Sequence, residues 1–321
     1  MSTVDEIKDK KKKKWKIILF AVLLLLLLGV IGIYISIVMA LQEGTVETVK
    51  KEEITEDTLL SESVPIIEQE QIEDHVFNVM LIGSDSRDPN ADKGRSDSMM
   101  MVSFNQLENK ATIVSFLRDS LVEVPGYGMT RLGHSYAYGG AGLTINTINQ
   151  TYGLDVQNYI TINFDNLENV IDKIGGIDIP ITAAEAELYN AYGKTYIREG
   201  VNHLDGEDAL MHARNRSLDS DFGRTRRQRS VMNGIYQKII SSRDASNVLP
   251  LIEYCLSQVK TNMDVGTIYD MAVKVLQADN LFIQQTSLPV NGTYTGIKYN
   301  GMSVLQIDIE ANKAELEKFL Y

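Results

Sequence analysis

Val79-Met80-Leu81-Ile82-Gly83-Ser84-Asp85-Ser86-Arg87 is the stretch on which the fold reading turns. An apolar run ending in Gly-Ser-Asp reads as a buried strand that delivers a carboxylate to its C-terminal edge, where open α/β sheets place ligands. Gly94-Arg95-Ser96-Asp97-Ser98 follows, directly before the apolar run Met99-Met100-Met101-Val102. A loop thus carries a second carboxylate into the start of the next strand. Two aspartates on adjacent strand ends can share one Mg²⁺, which prefers a few carboxylates plus phosphate oxygens. Loop aspartates also bond their own backbone in turns, and for either one alone that is the simpler reading.

Working outward, strands are expected over Val76–Ile82, Met99–Phe104, Thr112–Leu117 and Tyr159–Phe164, with Phe282–Leu288 as the closing strand. Helices are expected over Leu143–Tyr152, ended by Gly153, and over Leu167–Ile174, stopped by Gly175-Gly176. Further helices are expected over Glu207–Ala213, Arg224–Ile240, Pro250–Gln258, Val265–Gln277 and Ile309–Leu320. Such alternation predicts an α/β fold, a layered α-β-α domain with a mixed central sheet and helices on both faces.

The second informative stretch is Ala213 to Arg229, ARNRSLDSDFGRTRRQR, with Arg214, Arg216, Arg224, Arg226, Arg227 and Arg229. Guanidinium groups grip phosphate oxygens with two parallel hydrogen bonds. On a helix Arg224 and Gln228 face the same way with Arg227 beside them, while Arg226 and Arg229 project away as a solvated face. Asp221 or Ser220 is placed to cap that helix, whose N-terminus would add N–H donors to an anion site. Arg118, in Leu117-Arg118-Asp119, joins the group only through the fold. Taken alone, the stretch also fits a solvated basic helix.

A formal charge of -12 and a pI near 4.9 argue against nucleic acid as a partner. Positive charge is concentrated instead at the N-terminus and in the arginine stretch, which suits one specific anion. Lys8, Lys10 to Lys14 and, after Trp15, Lys16 precede an uncharged apolar run, Ile17 to Leu41. As a helix that run spans about 37 Å, enough for a bilayer core, and the lysines should stay cytoplasmic. The expected organisation is a cytoplasmic tail over 1–16, a single transmembrane signal anchor over 17–41, an acidic flexible or partly helical stalk over 42–75, and a catalytic domain over 76–321 outside the cell. The single cysteine, Cys255, sits among Leu251, Ile252, Tyr254 and Leu256 and reads as a buried apolar thiol. The four histidines lack zinc-ligand spacing, and no Walker A loop, G-x-S-x-G elbow or H-E-x-x-H motif is present.

Together these stretches resemble the LytR-CpsA-Psr family of bacterial cell-envelope proteins. Further matches are Gly133-His134-Ser135-Tyr136-Ala137-Tyr138-Gly139-Gly140, Asn163-Phe164-Asp165, Gly175-Gly176-Ile177-Asp178 and Leu204-Asp205-Gly206-Glu207-Asp208-Ala209-Leu210. All run in the family's order between about Val76 and Ile240. Phe116-Leu117 before Arg118, and Leu132-Gly133-His134, depart from the family's usual Ile-Pro and Ile-Asn-His. The resemblance implies a transferase that moves a phosphoglycopolymer from a polyprenyl-pyrophosphate carrier to a peptidoglycan hydroxyl. It assigns Arg87, Arg118, Arg214, Arg216, Arg224 and Gln228 to the pyrophosphate, and Asp85 and Asp97 to Mg²⁺. Asp97, Arg118 and Arg224 are the expected catalytic set. The alternatives are a polyprenyl-pyrophosphate pyrophosphatase, a non-catalytic binder of the lipid, or an envelope regulator acting as a transcriptional attenuator. About sixteen cytoplasmic residues are too few for a DNA-binding fold, which weighs against the last. For the lipid tail, Met99, Met100, Met101, Val102, Ile160, Ile162, Val170 and Ile171 either line a groove or belong to an ordinary core.

Overall fold

In the first strand of the computed structural model, β1 (Val76–Ser84), every second residue is fully buried and those between are half-buried. This is the pattern of a strand covered on both faces. The structure describes residues 65–67, 73, 75–84, 96–241, 251, 253–278 and 281–320. The tail, the anchor and most of the stalk lie outside them, as do Asp85 and Arg87. Among the described residues no helix is long and apolar enough to cross a membrane. Within the stalk, Ile66 packs on the core. Its neighbours are held by Asn146, which accepts from Ile67 N–H at 2.8 Å and donates to Pro65 O at 2.9 Å.

β1 lies inside a six-stranded sheet with β2 (Ser96–Asn105), β3 (Lys110–Phe116), β6 (Asn158–Asn163), β9 (Lys260–Thr261) and β10 (Phe282–Leu288), in the order β10-β3-β2-β1-β6-β9. The sheet is mixed, as expected: β1 runs parallel to β6 and β3 to β10, and the other pairs are antiparallel. Register decides what meets at one end. Ser84 pairs with Ser96 and with Asn163, and Met100 with Ser115. The end of β1, the start of β2 and the ends of β3 and β6 therefore share one edge. Asp97 and Arg118 arrive there from opposite chain directions.

Alternation along β2 divides the sheet's two faces. Met99 and Met101 join Met80, Val114 and Phe116 in a core closed by α1 (His134–Tyr152) and α7 (Ile309–Leu320). The opposite face carries α2 (Phe164–Lys173), α4 (Gly206–Arg214) and α5 (Asp221–Ser241). These build a second core with α3 (Ala183–Ala191) and the antiparallel pair β7 (Ile177–Ile181) and β8 (Gly200–Leu204). α6 (Val265–Gln277) takes its expected bounds.

Some elements depart from the sequence reading. α1 begins at His134, not Leu143, because the Tyr/Gly segment supplies its first turns before a break at Gly139 and Gly140. Phe282–Leu288 is an edge strand and not the last one. It is followed by the hairpin β11 (Tyr294–Tyr299) and β12 (Met302–Ile307). Asn300 and Gly301 form that two-residue loop with φ of 47° and 78°, a positive pair suited to the twist of a hairpin. β12 runs parallel to β4 (Ser120–Val124), which pairs with β5 (Gly128–Arg131) in a separate four-stranded sheet.

Candidate active site

Asp97 organises the shared edge. Its Oδ1 accepts from Arg118 Nη1 at 2.8 Å and from Arg216 Nη2 at 3.0 Å, and lies 3.9 Å from Arg224 Nη1. Gln228 Nε2 donates to the Asp97 carbonyl at 3.3 Å. Three segments distant in sequence thus converge on one carboxylate. Arg118 is set by a tight turn after β3, closed by Ser120 N–H on the Leu117 carbonyl, and by the start of α1, where Gly133 N–H donates to the Arg118 carbonyl at 2.9 Å. A Cβ on Gly133 would lie 2.9 Å from the Arg118 Cβ, so only glycine permits this approach.

Two further carboxylates belong to the cluster. Asp221 does not spend its side chain on a cap: Oδ1 lies 2.6 Å from Arg224 Nη2 and 3.9 Å from Arg118 Nε. Asp119 Oδ1 lies 3.9 Å from Arg118 Nε and 3.4 Å from Arg131 Nε. Arg131 in turn donates to the Ser303 carbonyl. Asp119 and Arg131 are site residues that sequence reasoning missed, since only the pairing of β4 with β5 and β12 brings them here.

Burial sets the electrostatics. Arg224 is 1% exposed, and desolvation, partly offset by Asp221, lowers its pKa. Desolvation likewise raises that of Asp221, against the pull of Arg224 and Arg118. Several buried atoms have no hydrogen-bond partner among the described residues: Arg224 Nε and Nη1, Arg118 Nε, Asp221 Oδ2, Asp119 Oδ1 and Gln228 Oε1. Unmatched buried donors are costly, and a cluster of them on guanidinium groups is what an anion would complete.

The other expected residues divide. Arg214 has no contact with Asp97; its guanidinium carbon sits 4.4 Å over the Phe164 ring, and it shares an open cleft with Arg216. Arg226 is exposed, as the helix geometry predicts. Arg229 is a correction: it is 8% exposed, not solvated, and donates to Ser115 Oγ at 2.8 Å and Ser287 Oγ at 2.6 Å. The face of α5 turned away from Arg224 packs on β3 and β10. Burial, with Arg226 nearby, pushes the Arg229 pKa down to about 10. Arg227 is fully buried in a second ion network with Asp219 and Glu185.

Beside the cluster lies an apolar cavity of about 240 Å³ between the sheet and α2, α4 and α5. Met100, Ile160, Ile162 and Val170 line it, whereas Met99, Met101 and Ile171 belong to the two cores. Ser98 and Gln228 line it too, so the cavity begins where the Asp97 cluster ends. Cys255 also faces it, and burial raises its thiol pKa.

Guanidinium groups gathered on one carboxylate, with an apolar cavity next to them across Ser98 and Gln228, are the arrangement that an amphiphilic anion would suit. The chain belongs to the LytR-CpsA-Psr family: the model of the LytR_cpsA_psr family matches residues 37–318. It is 30% identical over 305 residues to the Enterococcus faecalis polyisoprenyl-teichoic acid–peptidoglycan teichoic acid transferase TagU, covering 93% of each chain. It is also 30% identical over 241 residues to Bacillus subtilis TagT, which bears the same activity name, covering 72% of each. A solved structure of TagT bound to LI-WTA matches with a TM-score of 0.65 and 25% identity, over 80% of this chain and 99% of that one.

Proposed function

We propose that the chain is a phosphotransferase that moves a phosphoglycopolymer, teichoic acid first among the choices, from a polyprenyl-pyrophosphate carrier to a peptidoglycan hydroxyl. The observation that carries this reading is the set of unmatched buried N–H donors on Arg224 and Arg118, joined through Gln228 to a neighbouring apolar cavity. A pyrophosphate head with a prenyl tail satisfies both halves at once, and the curated relatives are named for such a transfer.

In this reading Arg118, Arg216 and Arg224 bind the pyrophosphate, with Gln228 at the join between head and tail. Arg214 extends the positive rim, and Arg87 belongs to the same group by family resemblance. The acceptor hydroxyl attacks the sugar-linked phosphorus in line. A new P–O bond forms, the bridging P–O bond breaks, and polyprenyl phosphate leaves with the electron pair. The guanidinium groups neutralise the charge that builds on the transferred phosphoryl and leaving groups. Asp97 stands nearest the acceptor. Asp221, raised by burial and with an unbonded Oδ2, is the better acceptor for the hydroxyl proton.

Among the described residues no three-ligand metal cage forms, but Mg²⁺ needs only one or two carboxylates plus phosphate oxygens. Asp97, whose contacts with Arg118, Arg216 and Arg224 all fall on Oδ1, can give such an ion one carboxylate oxygen. Asp97 and Asp85 are the proposed holders, and the bound ion would neutralise charge on the phosphates. The proposed setting is a single-pass membrane protein anchored by 17–41, with the domain outside the cell within reach of a lipid head group.

The test uses the full-length chain in detergent with a lipid-pyrophosphate-linked glycan, Mg²⁺ and peptidoglycan oligomers, read by mass spectrometry. Glycan joined to the oligomer by a phosphodiester, and lost with EDTA and with Arg118→Ala, supports the proposal. Free glycan phosphate without joined product would mark a pyrophosphatase. Bound lipid without turnover would mark a non-catalytic binder.

A further inference from the structure

Arg216 reaches Asp97 from the segment 215–220 between α4 and α5, which is exposed except at Asn215. Exposed connections are usually mobile, so a guanidinium presented from one needs something to hold it. Arg227 supplies the hold from within. Its Nη2 donates to the Asn215 carbonyl at 2.7 Å and to Asp219 Oδ1 at 2.7 Å. Its Nη1 donates to Asp219 Oδ2 at 3.1 Å and to Glu185 Oε1 at 3.3 Å. One fork therefore grips the residue before Arg216 and the residue three after it. The far end of the grip is fixed as well: Glu185 Oε2 accepts from Thr182 N–H at 3.0 Å and Thr182 Oγ1 at 2.9 Å in a capping box on α3.

The neighbouring glycine makes room for this. A Cβ on Gly223 would lie 1.8 Å from Asp219 Oδ2, so the carboxylate occupies space that any other residue would fill. Arg227 itself turns both terminal nitrogens to these internal partners and not to the Asp97 cluster.

We infer that Arg227 and Asp219 are positioning residues, a clamp beneath the 215–220 segment that presents Arg216 to the anion site. The inference rests on the pyrophosphate reading of that site. The test measures the Kd of the full-length chain for geranylgeranyl pyrophosphate by calorimetry, alongside Tm. Arg216→Ala should weaken binding by about tenfold, the low end for one charge-assisted hydrogen bond. Asp219→Asn should weaken it to a similar degree, and the Arg216→Ala/Asp219→Asn pair should bind within about twofold of Arg216→Ala alone.

Arg227→Met leaves the buried Glu185 carboxylate without its arginine and can fail to fold. Gly223→Ala gives an independent route, because alanine is the better helix former yet must displace Asp219. It should weaken binding to the same degree as Asp219→Asn, and add no further loss to Arg216→Ala. Independent, multiplied losses in the double variant would overturn the inference. So would an Asp219→Asn variant with lowered Tm and wild-type Kd. A wild-type chain that fails to bind the probe would instead remove the pyrophosphate reading, and this inference with it.

Discussion

Replacing Arg224 with methionine removes a guanidinium that is 1% exposed and lies 2.6 Å from Asp221. Two costs follow, and they can be separated. Asp221, with a side chain 16% exposed, loses its nearest counter-charge. Breaking a buried pair on one side typically costs about 3–5 kcal/mol, a large part of the 5–15 kcal/mol that holds a domain together. The site also loses unmatched donors aimed at the anion, and removing one preorganised donor lowers rate by about 10²–10³. Arg224→Met alone should therefore be both unstable and inactive, which by itself decides nothing. Arg224→Met combined with Asp221→Asn removes both charges. Stability should return to within about 1 kcal/mol of wild type, since neutral replacement of a buried ion pair is often tolerated. Neither the lost donors nor the lost proton acceptor is replaced, so phosphodiester formation, followed by mass spectrometry at equal folded concentration, should stay down by at least about a hundredfold. A folded double variant that transfers at more than about a tenth of the wild-type rate would refute the role given to this arginine.

Arg118 has a side chain 24% exposed, and its Asp97 contact is partly solvated; Arg118→Ala should cost little Tm yet about a hundredfold in transfer rate. His212 is 1% exposed, bonded to Tyr189, and pushed down to about 4 by burial. Its folded pKa lies below its unfolded value of 6.5, so the unfolded chain takes up the proton first and stability falls as pH drops from about 6.5 towards 4, by at most about 1.4 kcal/mol per pH unit from this group. Urea titrations across that range check it, and in His212→Gln the slope should flatten. Cys255 is the chain's one cysteine and faces the apolar cavity. Its labelling by N-ethylmaleimide should be slow, because burial raises the thiol pKa, and slower still with geranylgeranyl pyrophosphate bound. Unchanged labelling at saturation would place the tail elsewhere.

The strands were readable because β1, β2 and β3 are apolar runs bounded by turn residues, and such patterns survive any tertiary context. α1 was half-hidden because Gly139 and Gly140 interrupt it and glycine argues against helix. β4, β5, β11 and β12 escaped because they are short and mixed in polarity, and their partners come from distant parts of the chain. In the site, Asp97 and Arg224 carried local signals, a strand edge and a helix face. Asp119, Arg131 and the carboxylate role of Asp221 carried none, because each is defined by what it opposes. Arg229 was misjudged for a related reason: helical geometry tells which way a residue turns from Arg224, but not that β3 and β10 cover that side.

The arginine cluster also explains a mismatch in the chain's charge. An acidic protein with its cations spread over the surface would present no site for an anion; here guanidinium groups are drawn below the surface and left short of acceptors. That arrangement opposes folding, since desolvation lowers the Arg224 pKa and raises that of Asp221. Asp97, Asp119 and Asp221 limit the opposition without removing it: they hold the guanidinium groups in register but leave Arg224 Nε and Nη1 and Arg118 Nε unbonded. A site tuned only for stability would match every donor. Donors left unmatched in a rigid frame need no reorganisation when charge arrives, which is the condition under which they act on a transition state more than on a resting one.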